Sequence, residues 1–249
     1  MQQVLRQMFK LKAILHPDFE QLNDFIRSLP EVFNREGTVL YKGRNELRQY
    51  RIAGYDLVVK SFKRPHLINR IVYGFLRPSK AERSYQYALK LLKTGFKTPQ
   101  PVGFVTCRKG ICFEKSYYIS LKSTCSFTYK DFNHRSFQRQ DEILKAIALF
   151  TARLHESGFL HKDYSAGNIL FDDTTEKIPI EIIDLNRIVF RKVNMEDGCK
   201  NFERLPGSDD MLTLMGTIYA KSRGFDPETC VSKIKKYVQT ELDARQKRC

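Results

Sequence analysis

A chain of 249 residues, 42% hydrophobic and 29% charged, has the size and balance for a large core, arranged as one domain or two lobes. No apolar run approaches the roughly 20 residues of a membrane span, Met1–Arg6 lacks a signal-peptide apolar block, and six cysteines show neither a CxxC pair nor zinc-like spacing; a cytosolic protein with reduced thiols is expected. The net charge of +15 is uneven: residues 1–120 hold 22 Lys/Arg against 9 Asp/Glu, and residues 121–249 hold 21 against 19.

In chain order, residues 17–29 carry Leu22, Phe25, Ile26 and Leu29 as a helical stripe that ends at Leu29-Pro30. Residues 38–62 read as three strands, Thr38–Lys42, Glu46–Ile52 and Leu57–Phe62, with turns at Gly43-Arg44-Asn45 and Ala53-Gly54-Tyr55-Asp56. A helix is predicted from Lys80 to about Thr94, capped by Ser79 with Glu82 at capping-box spacing, and stopped by Gly95. Pro99–Gly103 leads into further strands through Tyr117–Ser120. Residues 121–135 are polar and read as irregular, and the lobe boundary is placed there: an N-lobe over 1–122 and a C-lobe over 123–249 of one domain. The second half opens with a helix over Gln140–Glu156, lined by Ile143, Ile147, Phe150 and Leu154 and ended by Gly158. Ile169–Phe171 and Lys177–Ile183 form a hairpin turning at Asp172-Asp173-Thr174. A charged segment over 192–208 precedes a helix from about Asp209 to Tyr219, and Pro227–Cys249 reads as helical. Strands, one helix, more strands and then a mainly helical half give an α+β, bilobal protein-kinase-like fold, with the nucleotide expected between the lobes.

The chemistry lies in His161-Lys162-Asp163-Tyr164-Ser165-Ala166-Gly167-Asn168, followed by Asp184 at the end of an apolar strand. Phosphoryl transfer from a nucleotide needs a carboxylate to orient and deprotonate a hydroxyl, and oxygen ligands to hold Mg²⁺ on the phosphates. H-x-D-x-x-x-x-N is the catalytic-loop pattern of kinase-like folds. Asp163 is therefore the candidate base, Asn168 and Asp184 the candidate Mg²⁺ ligands, and His161 a brace for the loop. Lys60, after Val58-Val59 on the third strand, is placed to bind the ATP α/β-phosphates as a point charge, with Lys63 as fallback. Glu82 either caps its own helix or pairs with Lys60. A full glycine-rich loop is missing, and Gly43-Arg44-Asn45 is the candidate phosphate cover through its backbone N–H groups. Asp209 and Asp210 either accept hydrogen bonds from the catalytic loop or face their own helix dipole.

Lys60, the run Lys80-Ala81-Glu82-Arg83-Ser84-Tyr85, Gly95-Phe96-Lys97-Thr98-Pro99-Gln100-Pro101-Val102-Gly103, the string His161–Leu170 and Ile183-Asp184-Leu185-Asn186-Arg187 resemble the lipopolysaccharide core kinases of the Kdo/heptose (WaaP) type, over roughly residues 15–220. The resemblance implies ATP- and Mg²⁺-dependent phosphorylation of a sugar hydroxyl in the lipopolysaccharide inner core, at the cytoplasmic face of the inner membrane. It gives Asp163 as base, Asn168 and Asp184 as metal ligands, and Lys60 with Glu82 as the phosphate-positioning pair. The basic first half reads either as a solvated surface or as one drawn to a polyanion. The implied partners, a lipopolysaccharide precursor glycolipid and the anionic membrane surface, fit the second reading, and no nucleic acid is expected. Near an anionic leaflet each basic residue contributes about 1 kcal/mol. The segment 63–83, with Lys63, Arg64, Arg70, Arg77, Lys80 and Arg83 among apolar residues, reads as an interfacial element or as helix and loop packed on the small lobe.

Three other functions share the pattern. A protein Ser/Thr kinase is disfavoured because Ser165 stands where such kinases carry Lys, Asp184-Leu185-Asn186 replaces Asp-Phe-Gly, and no Ala-Pro-Glu follows. An aminoglycoside- or choline-type kinase has no use for the basic bias, since its substrates are cationic. A non-catalytic basic binding module has no use for the complete set of carboxylates.

Overall fold

The run Tyr55-Asp56-Leu57-Val58-Val59-Lys60-Ser61-Phe62 sends successive side chains to opposite faces of a strand, and both faces are apolar enough to be covered. The computed structural model describes residues 10–63, 78–109 and 112–247. It divides into two compact units, Met1–Thr94 with Pro99–Ser123, and Gly95–Thr98 with Thr124–Cys249. The basic segment over 64–77 lies outside the described residues.

In the first unit the strands are β1 (Lys10–Leu15), β2 (Thr38–Lys42), β3 (Glu46–Ile52), β4 (Tyr55–Phe62), β5 (Pro101–Lys109) and β6 (Cys112–Leu121), and the helices are α1 (Asn23–Val32) and α2 (Lys80–Lys93). The strands form one antiparallel sheet in the order β1-β5-β6-β4-β3-β2. Leu57, Val59, Val105, Tyr117 and Ile119 pack against Leu22, Ile26, Leu29 and Phe33 from the α1 side. On the opposite face Phe62 and Phe104 meet Ala81 and Tyr85 of α2. Each fully buried aliphatic side chain of this kind contributes about 1.5–3 kcal/mol.

Two local expectations change here. The predicted 17–29 helix is a 3-10 turn over Pro17–Leu22, broken at Phe19 (φ −125°, ψ 27°), followed by α1. α1 also runs through Pro30 rather than stopping before it. Pro30 forfeits only its own N–H, while Leu29 O still accepts Phe33 N–H at 3.0 Å and buries Phe33 against Tyr117. Strand β1, read as no element from the sequence, pairs with β5 from Lys10↔Arg108 to Leu15↔Gly103. Gly103 allows this: a Cβ there would stand 2.4 Å from Ile14 O.

The second unit contains β7 (Phe127–Thr128), α3 (Gln140–Glu156), β8 (Phe159–His161), β9 (Ile169–Phe171), β10 (Ile180–Ile182), β11 (Ile188–Phe190), α4 (Met195–Lys200), α5 (Asp209–Arg223) and α6 (Pro227–Gln246). α3 buries Ile143, Ile147, Phe150 and Leu154, as its spacing predicts. Helix α5 extends beyond Tyr219 to Arg223, where Gly224 at φ 65° ends it. Residues 121–135, expected to be irregular, hold β7 and a 3-10 turn over Tyr129–Asn133 that buries Tyr129; the charged 192–208 segment holds α4. Gly95–Thr98 joins this unit, where an unbroken 1–122 lobe was expected. Phe96 packs edge-on to Phe150 and Phe159, Ile182 N–H donates to Lys97 O at 3.3 Å, and Thr98 Oγ1 donates to Ile182 O at 2.8 Å.

Two small antiparallel ladders frame the loop 162–168. β8 pairs with β11, and β9 pairs with β10 and β7. The first ladder delivers the chain to His161 and takes it up after Arg187. The second places Asn168 beside Ile183, whose N–H donates to Asn168 O at 3.0 Å.

Candidate active site

His161 closes β8 with its side chain fully buried. Its Nδ1 accepts Asp163 N–H at 3.0 Å and its Nε2 lies 3.0 Å from Ile183 O, so the proton belongs on Nε2 and the ring is neutral. Burial holds its pKa below the ordinary histidine value, against the opposing pull of Ile183 O and of Asp184 and Asp163. His161 thus ties the start of the loop to the residue before Asp184, which is the bracing role expected of it.

Asn168 Nδ2 donates to Asp163 O at 2.9 Å, bridging the five-residue span that the motif spacing sets. This commits the amide nitrogen to the loop and leaves Oδ1 as the atom of Asn168 suited to a cation. Asp184 adopts a left-handed backbone (φ 58°, ψ 49°) and accepts from Asn186 Nδ2. That conformation costs a non-glycine residue about 1 kcal/mol or more, and Asp is among the residues that tolerate it. The ladder therefore brings Asn168 and Asp184 to adjacent strand ends. An amide oxygen and a carboxylate suit Mg²⁺, which takes one or two carboxylates and completes its shell with water and phosphate. Among the described residues no cluster of three His, Cys, Asp or Glu competes for a metal.

Asp163 itself is held from two sides. Arg204 Nη1 donates to its Oδ1, and Arg187 Nη1 stands 3.6 Å from its Oδ2. Sequence reasoning did not assign either arginine a role; Arg187 stood in the Asp-Leu-Asn-Arg string, and Arg204 carried no local signal.

Behind the loop runs a buried polar chain that the sequence also concealed. His155 on α3 sits with Nδ1 2.9 Å from Tyr219 OH and Nε2 3.0 Å from Asn201 Oδ1. Asn201 Nδ2 in turn donates to His161 O at 3.0 Å. Burial pushes the His155 pKa down to about 4, opposed by the Asn201 hydrogen bond. Gly198 makes room for this chain, because a Cβ there would overlap the Tyr219 hydroxyl. Asn201 thus backs the loop, and of the two readings for Asp209 and Asp210 the helix-terminus one fits. Asp209 pairs with Lys235 on α6 at 2.7 Å, and Ser208 caps α5, so these acids serve their helix terminus.

In the first unit Lys60 lies on β4 opposite Leu47 of β3 and Tyr118 of β6, with Nζ 5.4 Å from the Phe62 ring centre. It shares the sheet face that α2 covers. Ser79 caps α2, accepting from Glu82 N–H at 3.0 Å. Among the described residues the ion-pair partner of Glu82 is Lys12 of β1, at 2.7 Å, and not the expected Lys60. The cause is where α2 begins: Ser79 Oγ lies 3.3 Å from Thr106 Oγ1, and Thr106 is the register partner of Lys12. Lys60 is three strands further along the sheet, roughly 14 Å at about 4.8 Å per strand. At the β2–β3 turn Gly43 N–H donates to Asn45 O at 3.1 Å, and Asn45 Oδ1 accepts Lys63 N–H at 3.2 Å. Asn45 therefore fastens the turn to the end of β4.

Residues 65–216 match the lipopolysaccharide kinase (Kdo/WaaP) family. WaaP in complex with acyl carrier protein superposes with a TM-score of 0.63 at 13% identity, covering 95% of this chain and 98% of that one. The Rio2 kinase–ADP/Mg²⁺–phosphoaspartate complex from Chaetomium thermophilum superposes with a TM-score of 0.51 at 13% identity, over 94% of this chain and 82% of that one. The fold is thus the protein-kinase-like fold that the element order implied. No curated protein sequence matches the chain.

Proposed function

Because this chain belongs to the lipopolysaccharide kinase (Kdo/WaaP) family, we propose that it moves the γ-phosphoryl group of ATP onto a sugar hydroxyl, of Kdo or heptose, in the lipopolysaccharide inner core. It is a phosphotransferase of lipopolysaccharide biosynthesis, and ATP use follows from the family. Asp163 orients the acceptor hydroxyl and takes its proton as the oxygen–phosphorus bond forms and the bond to the ADP oxygen breaks. Asn168 and Asp184 would hold Mg²⁺, which would neutralise phosphate charge there. Lys60 holds the α/β-phosphates, and the turn Gly43-Arg44-Asn45 covers them through the N–H groups other than that of Gly43, which Asn45 O takes. Glu82 serves Lys12 and the seating of α2.

The observation that carries this reading is the locked geometry of the loop: His161 and Asn168 together fix the Asp163 backbone, so its carboxylate is held without loop rearrangement. Work at the cytoplasmic face of the inner membrane is supported by the charge of the first 120 residues, 22 basic against 9 acidic. The attachment proposed is peripheral, through that basic surface; among the described residues no helix is long and apolar enough to cross a membrane.

The test is incubation with Mg-ATP and a Kdo-containing lipid A precursor, followed by mass spectrometry. One added phosphate per glycolipid is expected, with a loss of at least ~10²-fold for Asp163→Asn. Phosphorylation of a casein-like protein but not the glycolipid would return the chain to the protein kinases. Unchanged turnover in Asp163→Asn would remove the base assignment. Co-purification with acyl carrier protein, the partner held by WaaP, tests for a protein partner alongside.

A further inference from the structure

Asp163 has an unusual environment for a group that must receive a hydroxyl. Arg204 Nη1 donates to Oδ1, and Arg187 Nη1 lies 3.6 Å from Oδ2. Neither arginine is a loose surface charge. The Arg204 carbonyl accepts Ala166 N–H at 3.2 Å, and the Arg187 carbonyl accepts Lys162 N–H at 3.3 Å. The backbones of the two arginines are therefore stapled to opposite ends of the catalytic loop, and their side chains converge on one carboxylate. Side-chain exposure is 55% at Arg187 and 35% at Arg204 against 20% at Asp163, so both arginines are more open to solvent than the carboxylate they hold. Each guanidinium has five N–H donors. Among the described residues Asp163 is the only side-chain acceptor for either, which leaves most of those donors without a side-chain partner.

A neutral polyol reaching Asp163 has to displace an arginine and offers it no charged partner in exchange. An acceptor with a carboxylate or phosphate beside its hydroxyl supplies that partner, in the planar two-point geometry that guanidinium fits best. Resting on the acceptor class proposed above, we infer that Arg187 and Arg204 are an acceptor-anion clamp. They select a sugar that bears an oxyanion next to the accepted hydroxyl, such as the carboxylate of an ulosonic acid, over a neutral heptose. As the anion takes the guanidiniums, Asp163 is released to the hydroxyl. The same residues that keep the base paired in the empty enzyme thereby read the substrate.

The test uses steady-state kinetics of the full chain on three glycolipids: the Kdo-lipid A precursor, its carboxyl methyl ester, and the precursor with its lipid A phosphates removed. Esterification is expected to raise the acceptor KM about ten-fold or more, the scale of one charge-assisted hydrogen bond, while the KM for ATP stays within about two-fold. Arg187→Gln and Arg204→Gln reproduce that rise on the free acid, add little on the ester, and are partly rescued by Lys. If phosphate removal gives the rise and esterification does not, the arginines read a remote phosphate and not an oxyanion beside the accepted hydroxyl, and the clamp is overturned. Equal use of all three acceptors by the wild type overturns the clamp alone, as does a uniform loss on all three in the variants. No phosphate transfer to any glycolipid defeats the acceptor class and the clamp with it. Binding of free Kdo and of Kdo methyl ester to the wild type by NMR needs no variant; indistinguishable affinities refute the clamp.

Discussion

Acidification should unlock the support behind the catalytic loop before it touches the carboxylates. His155 has an ordinary pKa of 6.5 in the unfolded chain and about 4 in the fold, chiefly because its imidazole is buried. The unfolded chain therefore binds a proton below pH 6.5 that the fold refuses until about pH 4. Stability contributed by the neutral ring is complete above 6.5 and drains away as pH falls through that window. At about pH 5 the unfolded state is favoured some thirty-fold by this one group, about 2 kcal/mol. The acids with lowered pKa values, Glu142, Asp172, Asp197 and Asp226, start from 4.5 or 3.8 and lose their contributions lower down, which separates the two effects. Urea unfolding followed by circular dichroism at about pH 7.5 and about pH 5 reads the difference. His155→Gln keeps an amide donor for Asn201 and cannot titrate. It should lose about 2 kcal/mol less than the wild type between the two pH values, with His161 still contributing to both. An equal fall in the two proteins would refute the reasoning, as would a wild-type midpoint that does not move.

Other substitutions test other joints. Asn201→Ala strands the His155 N–H and removes one of the two donors to the His161 carbonyl, leaving Tyr164 N–H, and should cost about 1–3 kcal/mol in chemical denaturation, with a lower kcat wherever the loop is loosened. Ser79→Ala removes the α2 cap and its contact with Thr106, for a loss of about 1 kcal/mol by the same assay. At Gly216 a Cβ would stand 2.9 Å from Val231 Cγ2, so Gly216→Ala should lower stability by about 1–3 kcal/mol, with Val231→Ala in the same chain restoring part of it. Lys60→Met should raise the KM for ATP and lower kcat/KM by at least ~10-fold while leaving the acceptor KM nearly unchanged; an unaffected ATP KM in initial-rate kinetics would remove Lys60 from phosphate binding.

Elements with a strong internal period were readable in advance. Helix α3 repeats its apolar residues at helical spacing, and the Ser79–Glu82 signal marks the start of α2 within one residue. Strand β1 was not readable: the alternation of Lys10-Leu11-Lys12-Ala13 lasts four residues before Ile14-Leu15 ends it, and its pairing is decided by β5, some ninety residues on. The loop 161–168 and Asp184 stood out because their chemistry is packed into short strings. The groups that surround them did not, since Arg204 lies 41 residues from Asp163 and Asn201 lies 40 from His161. The partner of Glu82 was misread for a related reason. Helical periodicity gave the face of α2, but its position along the sheet depended on the Ser79–Thr106 contact.

The excursion of Gly95–Thr98 bears on how the molecule can be taken apart. Expressed from residue 124 onward, the helical half would be born without the Phe96 ring between Phe150 and Phe159 and without the Thr98 bond to Ile182. On the ribosome those four residues emerge before any of their partners, and the chain then returns to finish the sheet with β5 and β6. Neither half is a continuous stretch of chain, so a single cut cannot yield two self-sufficient pieces. A separable helical half needs the 95–98 peptide grafted back, as a permuted terminus or an added strand.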